Sequence, residues 1–139
     1  MSLFTSPLSS NPLFPNQAFA DYFAMWNELD PARVRQLLDA AVTEDVIFCD
    51  PANDHVGRDA LAANAIALHA AKPEYEYQVV SGFDHHHDRY RYAWRIVERG
   101  AVVMEGMDVT TVDEHGKLAR IDGFFGPLPD LPDVAPSAS

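Results

Sequence analysis

Two aspartates stand where the chain around them suits that residue poorly. Asp108 falls in mid-strand in "MEGMDVTTV", between Met107 and Val109, and Asp50 ends the apolar run "VIFC" just before Pro51. Aspartate is a weak strand former, and a carboxylate buried without partners is costly. Each group therefore faces either water or a cavity. An apolar cavity raises a carboxyl pKa by desolvation, and two neighbouring carboxyls push their values apart. At a strand end such a carboxylate can be presented rigidly to a cavity as a base.

Taken singly, each aspartate also has a plainer reading. The strand face of Asp108 holds Met104, Gly106, Thr110 and Val112, and the opposite face holds Val103, Glu105, Met107, Val109 and Thr111. Both faces are mixed, so alternation alone leaves Asp108 free to face solvent or a pocket. Gly106, two positions earlier on the same face, leaves room beside the carboxylate. Asp50 is either an ordinary Asp-Pro turn residue or a base presented at a strand end. The triplet His85-His86-His87, flanked by Asp84 and Asp88, invites a metal reading. Adjacent residues of an extended loop point to alternate sides, so at most two of these imidazoles could share an ion. No further Cys/His spacing completes a site, so no metal is expected. His69 reads as a surface or packed histidine of a helix, Trp26 and Trp94 as core or cavity wall, and Cys49 as an unreactive strand thiol.

The elements that must position these groups follow from periodicity. Phe19, Tyr22, Phe23 and Trp26 recur at i, i+3, i+4 and i+7 and predict a helix over about residues 16–28. Asp30 and Pro31 are a good N-cap and first helical residue for a second helix carrying Val34, Leu37, Leu38 and Ala41. "DVIFCDP" reads as a short strand pairing at an edge, "ANDHVG" as a polar loop, and "RDALAANAIALHAA" as a third helix ending near Pro73. Strands follow in "EYEYQVVSGF", "RYRYAWRIV", "AVVMEGMDVTTV" and "KLARIDGFF", with "DHHHD" as a loop among them. Helices first and antiparallel strands after give an α+β domain over residues 16–126, preceded by an irregular arm (1–15) and followed by a proline-rich extended tail (127–139).

The chain has 139 residues, enough for one core, and a formal net charge of −11. That acidity disfavours nucleic acid and anionic membrane as partners. No apolar run approaches the span of a membrane helix, and the N-terminus lacks the basic region of a secretory signal. With a single cysteine, the cytoplasm is the expected compartment.

The order of elements and the aspartate pair resemble the nuclear transport factor 2-like superfamily, which includes SnoaL-like polyketide cyclases and ketosteroid isomerases. The resemblance covers about residues 17–126 and is carried by "YFAMWNELDPARVRQLLDAAVTEDVIFCDPANDHVGRDAL" and "RYAWRIVERGAVVMEGMDVTTVDEHGKLARIDGFFG". It implies a conical barrel, in which three N-terminal helices close a curved, mainly antiparallel sheet around an apolar pocket, often in a homodimer. Asp50-Pro51 resembles the isomerases' general-base motif. Asp108, with Gly116-Lys117 and Phe125-Gly126 after it, matches the order around their protonated aspartic acid. On that resemblance Asp108 turns inward, Asp50 is the base and Asp108 the acid. Tyr22 or Trp26, together with Trp94 and Phe124, would line the pocket. The implied activity is an isomerase, cyclase or dehydratase acting without cofactor on a small apolar carbonyl compound. The fold alone also accommodates a non-catalytic ligand-binding module or a dimeric scaffold.

Overall fold

The computed structural model describes residues 13–133. The aromatic stripe near the N-terminus forms α1 (Gln17–Trp26), started by Asn16, whose side chain accepts from the Phe19 N–H at 3.0 Å. Asn16 also donates to the carbonyl of Gly116 at 3.2 Å, tying the start of this helix to a distant hairpin turn. Helix α2 (Pro31–Ala41) is capped by Asp30, which accepts from the Ala32 N–H, and has proline at its start as the sequence predicts. Helix α3 (Arg58–Ala71) stops two residues before Pro73. No described helix is long and apolar enough to cross a membrane.

Seven strands form one open, curved, mixed sheet: β1 (Val42–Asp50), β2 (Asn53–Val56), β3 (Tyr75–Val79), β4 (Asp84–His86), β5 (Arg89–Glu98), β6 (Ala101–Val112) and β7 (Leu118–Phe125). Their order is β2-β1-β7-β6-β5-β3, with β4 pairing to β5 beyond the end of β3. Strand β1 runs parallel to β7, and every other pairing is antiparallel. The architecture is thus the α+β class expected, with the sheet open rather than closed into a full barrel.

Three local expectations need correction. "ANDHVG" is not a loop, because Asn53–Val56 pairs back on β1 through a tight turn at Pro51 and Ala52. The Asp50 side chain closes that turn by accepting from the Ala52 N–H at 2.9 Å. Strand β1 is consequently internal, with β2 covering the edge it would otherwise expose. "DHHHD" likewise contributes β4, a short strand that reverses into β5 at His87, whose φ is 53°. Asp84 supports this hairpin by accepting from Arg91 Nε at 2.7 Å.

The three helices pack on the concave face of the sheet. Phe19, Met25, Val34, Leu38, Ala41, Val42, Val46, Leu61, Ala65, Leu118 and Ile121 are fully enclosed there. Burying one such large apolar side chain stabilises the fold by about 1.5–3 kcal/mol. Of the expected arm, residues 1–12 lie outside the described residues. Phe14 packs on Phe23, their ring centroids 5.5 Å apart. Residues 127–133 of the expected tail are exposed without regular structure, and the rest lie outside the described residues.

Candidate functional site

Between α1, α3 and the sheet lies a cavity of about 240 Å³. Helical spacing turns Tyr22, Phe23 and Trp26 of α1 toward it, and Asn64 and Leu68 of α3 face them across the space. Alternate residues of the strands complete the wall: Phe48 and Asp50 from β1, Tyr75 and Tyr77 from β3, Trp94 and Ile96 from β5, Met104 and Asp108 from β6, and Phe125 from β7. Exposed Ala52 and half-buried Asn53 also line it, so the cavity reaches the surface beside the β1–β2 turn.

Asp108 points inward and is 8% exposed. Its Oδ1 accepts a hydrogen bond from the Trp94 indole N–H at 2.9 Å. Burial pushes its pKa up to about 7, while hydrogen bonds from Trp94 and Tyr92 pull it back and the charge of Asp50 adds to the rise. Tyr92 Oη lies 2.7 Å from Thr110 Oγ1, both side chains being buried. When Thr110 donates to Tyr92, the phenol proton remains available for the Asp108 carboxylate. At neutral pH Asp108 is therefore divided between an acid that can donate into the cavity and a carboxylate held by two donors.

Asp50 occupies the last position of β1, half-buried. Its Oδ1 serves the turn, accepting from the Ala52 N–H and from Asn53 Nδ2, each at 2.9 Å. No hydrogen bond reaches Oδ2 among the described residues, so the turn role and a role as base are compatible in one side chain. Gly123 of β7 explains how the two carboxyls share a site. A Cβ there would come within 2.9 Å of Asp108 Oδ1 and 3.2 Å of Asp50 Cβ, so only a residue without a side chain leaves room for both.

The Tyr22 and Tyr77 phenols are donors at every working pH. Burial raises the pKa of Tyr22 far above its ordinary value, and the charge of Asp108 adds to it. Tyr77 is raised by burial first and then by the charge of Asp50.

The structure thus brings Asp50, Asp108, Tyr22, Trp26 and Trp94 to one cavity, with both Tyr22 and Trp26 in its wall. Phe124 is a correction: it is 62% exposed on the outer face of the sheet, opposite exposed Met107 of β6, and Phe125 lines the cavity in its place. The cause is a bulge. Val112 pairs with Leu118 but Thr111 pairs with Arg120, so Ala119 is an extra residue that inverts the inward phase of everything after it. Sequence reasoning also missed Tyr77, Phe48, Asn53, Asn64 and Gly123. Tyr77 was detectable, since "EYEYQ" alternates and sets Tyr75 and Tyr77 on one face.

Gly106 has a different use from the one its position suggests. A Cβ there would collide with Cζ2 of Trp94, its cross-strand partner, and lie 2.5 Å from the Phe124 carbonyl oxygen. The missing side chain lets the indole lie flat on β6 and reach Asp108. Gly106→Ala should therefore destabilise the protein by about 1–3 kcal/mol, the usual penalty for overpacking. Urea unfolding, read together with the Trp94 indole N–H resonance, tests this: an unchanged midpoint and resonance would remove Gly106 from the site.

The remaining candidates lie elsewhere. His69 is buried in α3 with Nε2 3.0 Å from the Met25 carbonyl, a packed histidine joining two helices. His85 stacks on Tyr90, while His86 and His87 meet through their Nδ1 atoms at 3.0 Å. Among the described residues, no three His, Cys, Asp or Glu side chains are grouped as a metal site requires. Cys49 is half-buried and does not line the cavity.

Comparison with known proteins adds a lineage to this geometry. A family model described as the SnoaL-like domain matches residues 19–121. A crystal structure from Agrobacterium tumefaciens, provisionally described as an isomerase of the SnoaL-like family, is similar at 28% identity and TM-score 0.74, over 80% of this chain and 96% of that one. A provisionally described polyketide cyclase from Sinorhizobium meliloti is similar at 17% identity and TM-score 0.62, over 78% and 94%. A protein of unknown function with a cystatin-like fold from Methylobium petroleophilum is similar at 14% identity and TM-score 0.66, over 86% and 79%. The latter two likenesses are of fold. No curated protein matches the chain.

Proposed function

The chain belongs to the SnoaL-like family, and from its cavity we propose that it is an acid/base enzyme, an isomerase, cyclase or dehydratase of a small apolar carbonyl compound. The observation that carries this reading is the pairing of half-buried Asp50 with buried Asp108 across Gly123, in a cavity walled mainly by apolar and aromatic side chains.

In the proposed step the substrate's carbonyl oxygen lies against the protonated Asp108, and its α-carbon lies against Asp50. The C–H bond breaks and its proton passes to the Asp50 carboxylate. The bond's electron pair moves through carbon to the carbonyl oxygen, where the Asp108 O–H stabilises or protonates the enolate. Asp50 then returns the proton to the same carbon or to a conjugated one; in a cyclisation the enolate carbon attacks a second carbonyl and Asp50 gives its proton to the new alkoxide, and in a dehydration Asp50 gives it to the β-hydroxyl, which leaves as water. The Tyr22 hydroxyl, protonated and near Asp108, is a further donor for the developing oxyanion.

The test is deuterium incorporation from D2O into bound ketones, followed by NMR across pH. Asp108 is the acid only while protonated, and its pKa is about 7. Exchange should therefore fall about tenfold per unit above that value, once the uncatalysed background is subtracted. Absence of exchange in every ketone that binds would sink the enzyme reading.

A further inference from the structure

We propose, resting on the acid/base reading of this cavity, that its substrate is a flat, uncharged carbonyl compound of one or two fused rings. Three independent observations carry this.

The first is size. The cavity holds about 240 Å³. An apolar protein cavity of about 150 Å³ takes up benzene, whereas sites that enclose drug-sized molecules run from about 300 to 1,000 Å³. One ring with substituents, or two fused rings, fits between those limits. A four-ring skeleton would leave much of its apolar surface outside the mouth at Ala52.

The second is shape. Phe48, Trp26, Tyr77, Trp94 and Phe125 form an unbroken arc of rings around the wall. Successive centroids lie 5.8, 5.1, 6.5 and 6.0 Å apart. The arc draws on β1, α1, β3, β5 and β7 in turn, so five separate elements present aromatic surface to one space. Aromatic surfaces gain most from a partner that can lie parallel to one ring and edge-on to the next, which a planar conjugated molecule does and a puckered aliphatic one does not.

The third is charge. Among the described residues no Lys, Arg or His lines the cavity, and its carboxyl groups are those of Asp50 and Asp108. A carboxylate or phosphate on the ligand would meet those acids with no cation to offset them, in a chain of net charge −11. Two further polar side chains of the wall, Asn53 and Asn64, are neutral amides suited to a hydroxyl or carbonyl. A cationic ligand has aromatic faces to approach, but one oxygen of Asp50 is already committed to the turn.

The experiment compares five probes on the full chain by tryptophan fluorescence quenching and the Trp94 indole N–H resonance. They are cyclohex-2-enone, 2-tetralone, testosterone, 2-naphthoate and 2-naphthylmethylammonium, and each ketone is also followed for deuterium exchange. 2-Tetralone should bind at least tenfold more tightly than testosterone or either charged naphthalene, with cyclohex-2-enone weaker but in the same site. Equal or tighter binding of testosterone, of the anion or of the cation overturns the proposed class, as does no binding of any probe. Catalysed exchange in testosterone but not in 2-tetralone also overturns the class while upholding the acid/base reading. Tight binding of 2-tetralone without exchange does the reverse.

Discussion

Asp108→Asn will be more stable than the parent protein at pH 8, and the gain will disappear as pH falls toward 4. Asp108 is 8% exposed, and its folded pKa stands at about 7 against 3.8 for an unperturbed group. Between those values the folded state binds a proton that the unfolded state has released, so stability falls as pH rises through the window. Above pH 7 the folded chain carries a buried carboxylate, and the full penalty applies. A shift of three units corresponds to about 4 kcal/mol at roughly 1.4 kcal/mol per unit. Asparagine can keep the acceptor for the Trp94 indole and carries no charge, so it recovers most of that amount at high pH and almost none at low pH. Urea unfolding of both proteins at pH 4, 6 and 8 measures the difference, and the carboxylates remote from Asp108 cancel between them. A difference that stays constant with pH would mean that Asp108 titrates as a solvated residue, and the site would lose its acid. A gain at pH 8 paired with slower exchange below pH 7 would show a group kept for chemistry at a cost in stability, the usual relation at functional sites.

The fold and the site were legible to different depths, for physical reasons. Helices α1 and α2 declare themselves through aromatic and aliphatic periodicity and, for α2, through Asp30 and Pro31 at its start, all local signals. Strand β2 was hidden because "NDHV" is short, polar and exposed on alternate residues; it is held by pairing to β1 and by the Asp50 turn, neither of which its own composition reveals. The inward turn of Asp108 could not be read from a strand with two mixed faces. It follows from what lies across the sheet, where Tyr92, Trp94 and Ile96 of β5 are buried and Tyr92 pairs with Asp108. Phe124 turns outward because the strand's alternation shifts by one at Ala119, and a single-residue bulge leaves no mark in composition. Gly106 and Gly123 are conspicuous in sequence, yet their uses are defined by what a Cβ would strike: an indole ring at one, two carboxyl side chains at the other.

Asp50→Asn should lower the catalysed exchange rate by about 10²–10⁴, the usual worth of a positioned proton-transfer group. The substitution suits the purpose because the turn can survive it. The asparagine Oδ1 can accept from the Ala52 N–H and from Asn53 Nδ2 as the aspartate does, so β1 and β2 remain joined. What is lost is the second oxygen, for which no donor exists among the described residues, and with it the lone pair that would receive the substrate's proton. Ligand binding should change little, since the amide occupies nearly the same volume. The rate loss should therefore appear at saturating ketone as fully as at low concentration, the signature of an interaction made in the transition state. The two aspartates then separate cleanly. Asp108→Asn retains an amide donor toward the carbonyl oxygen and loses the alkaline fall near pH 7, whereas Asp50→Asn retains that fall and loses the rate. An Asp50→Asn protein that exchanges as fast as the parent would assign this residue to the turn alone, and the base would have to be sought elsewhere in the cavity wall.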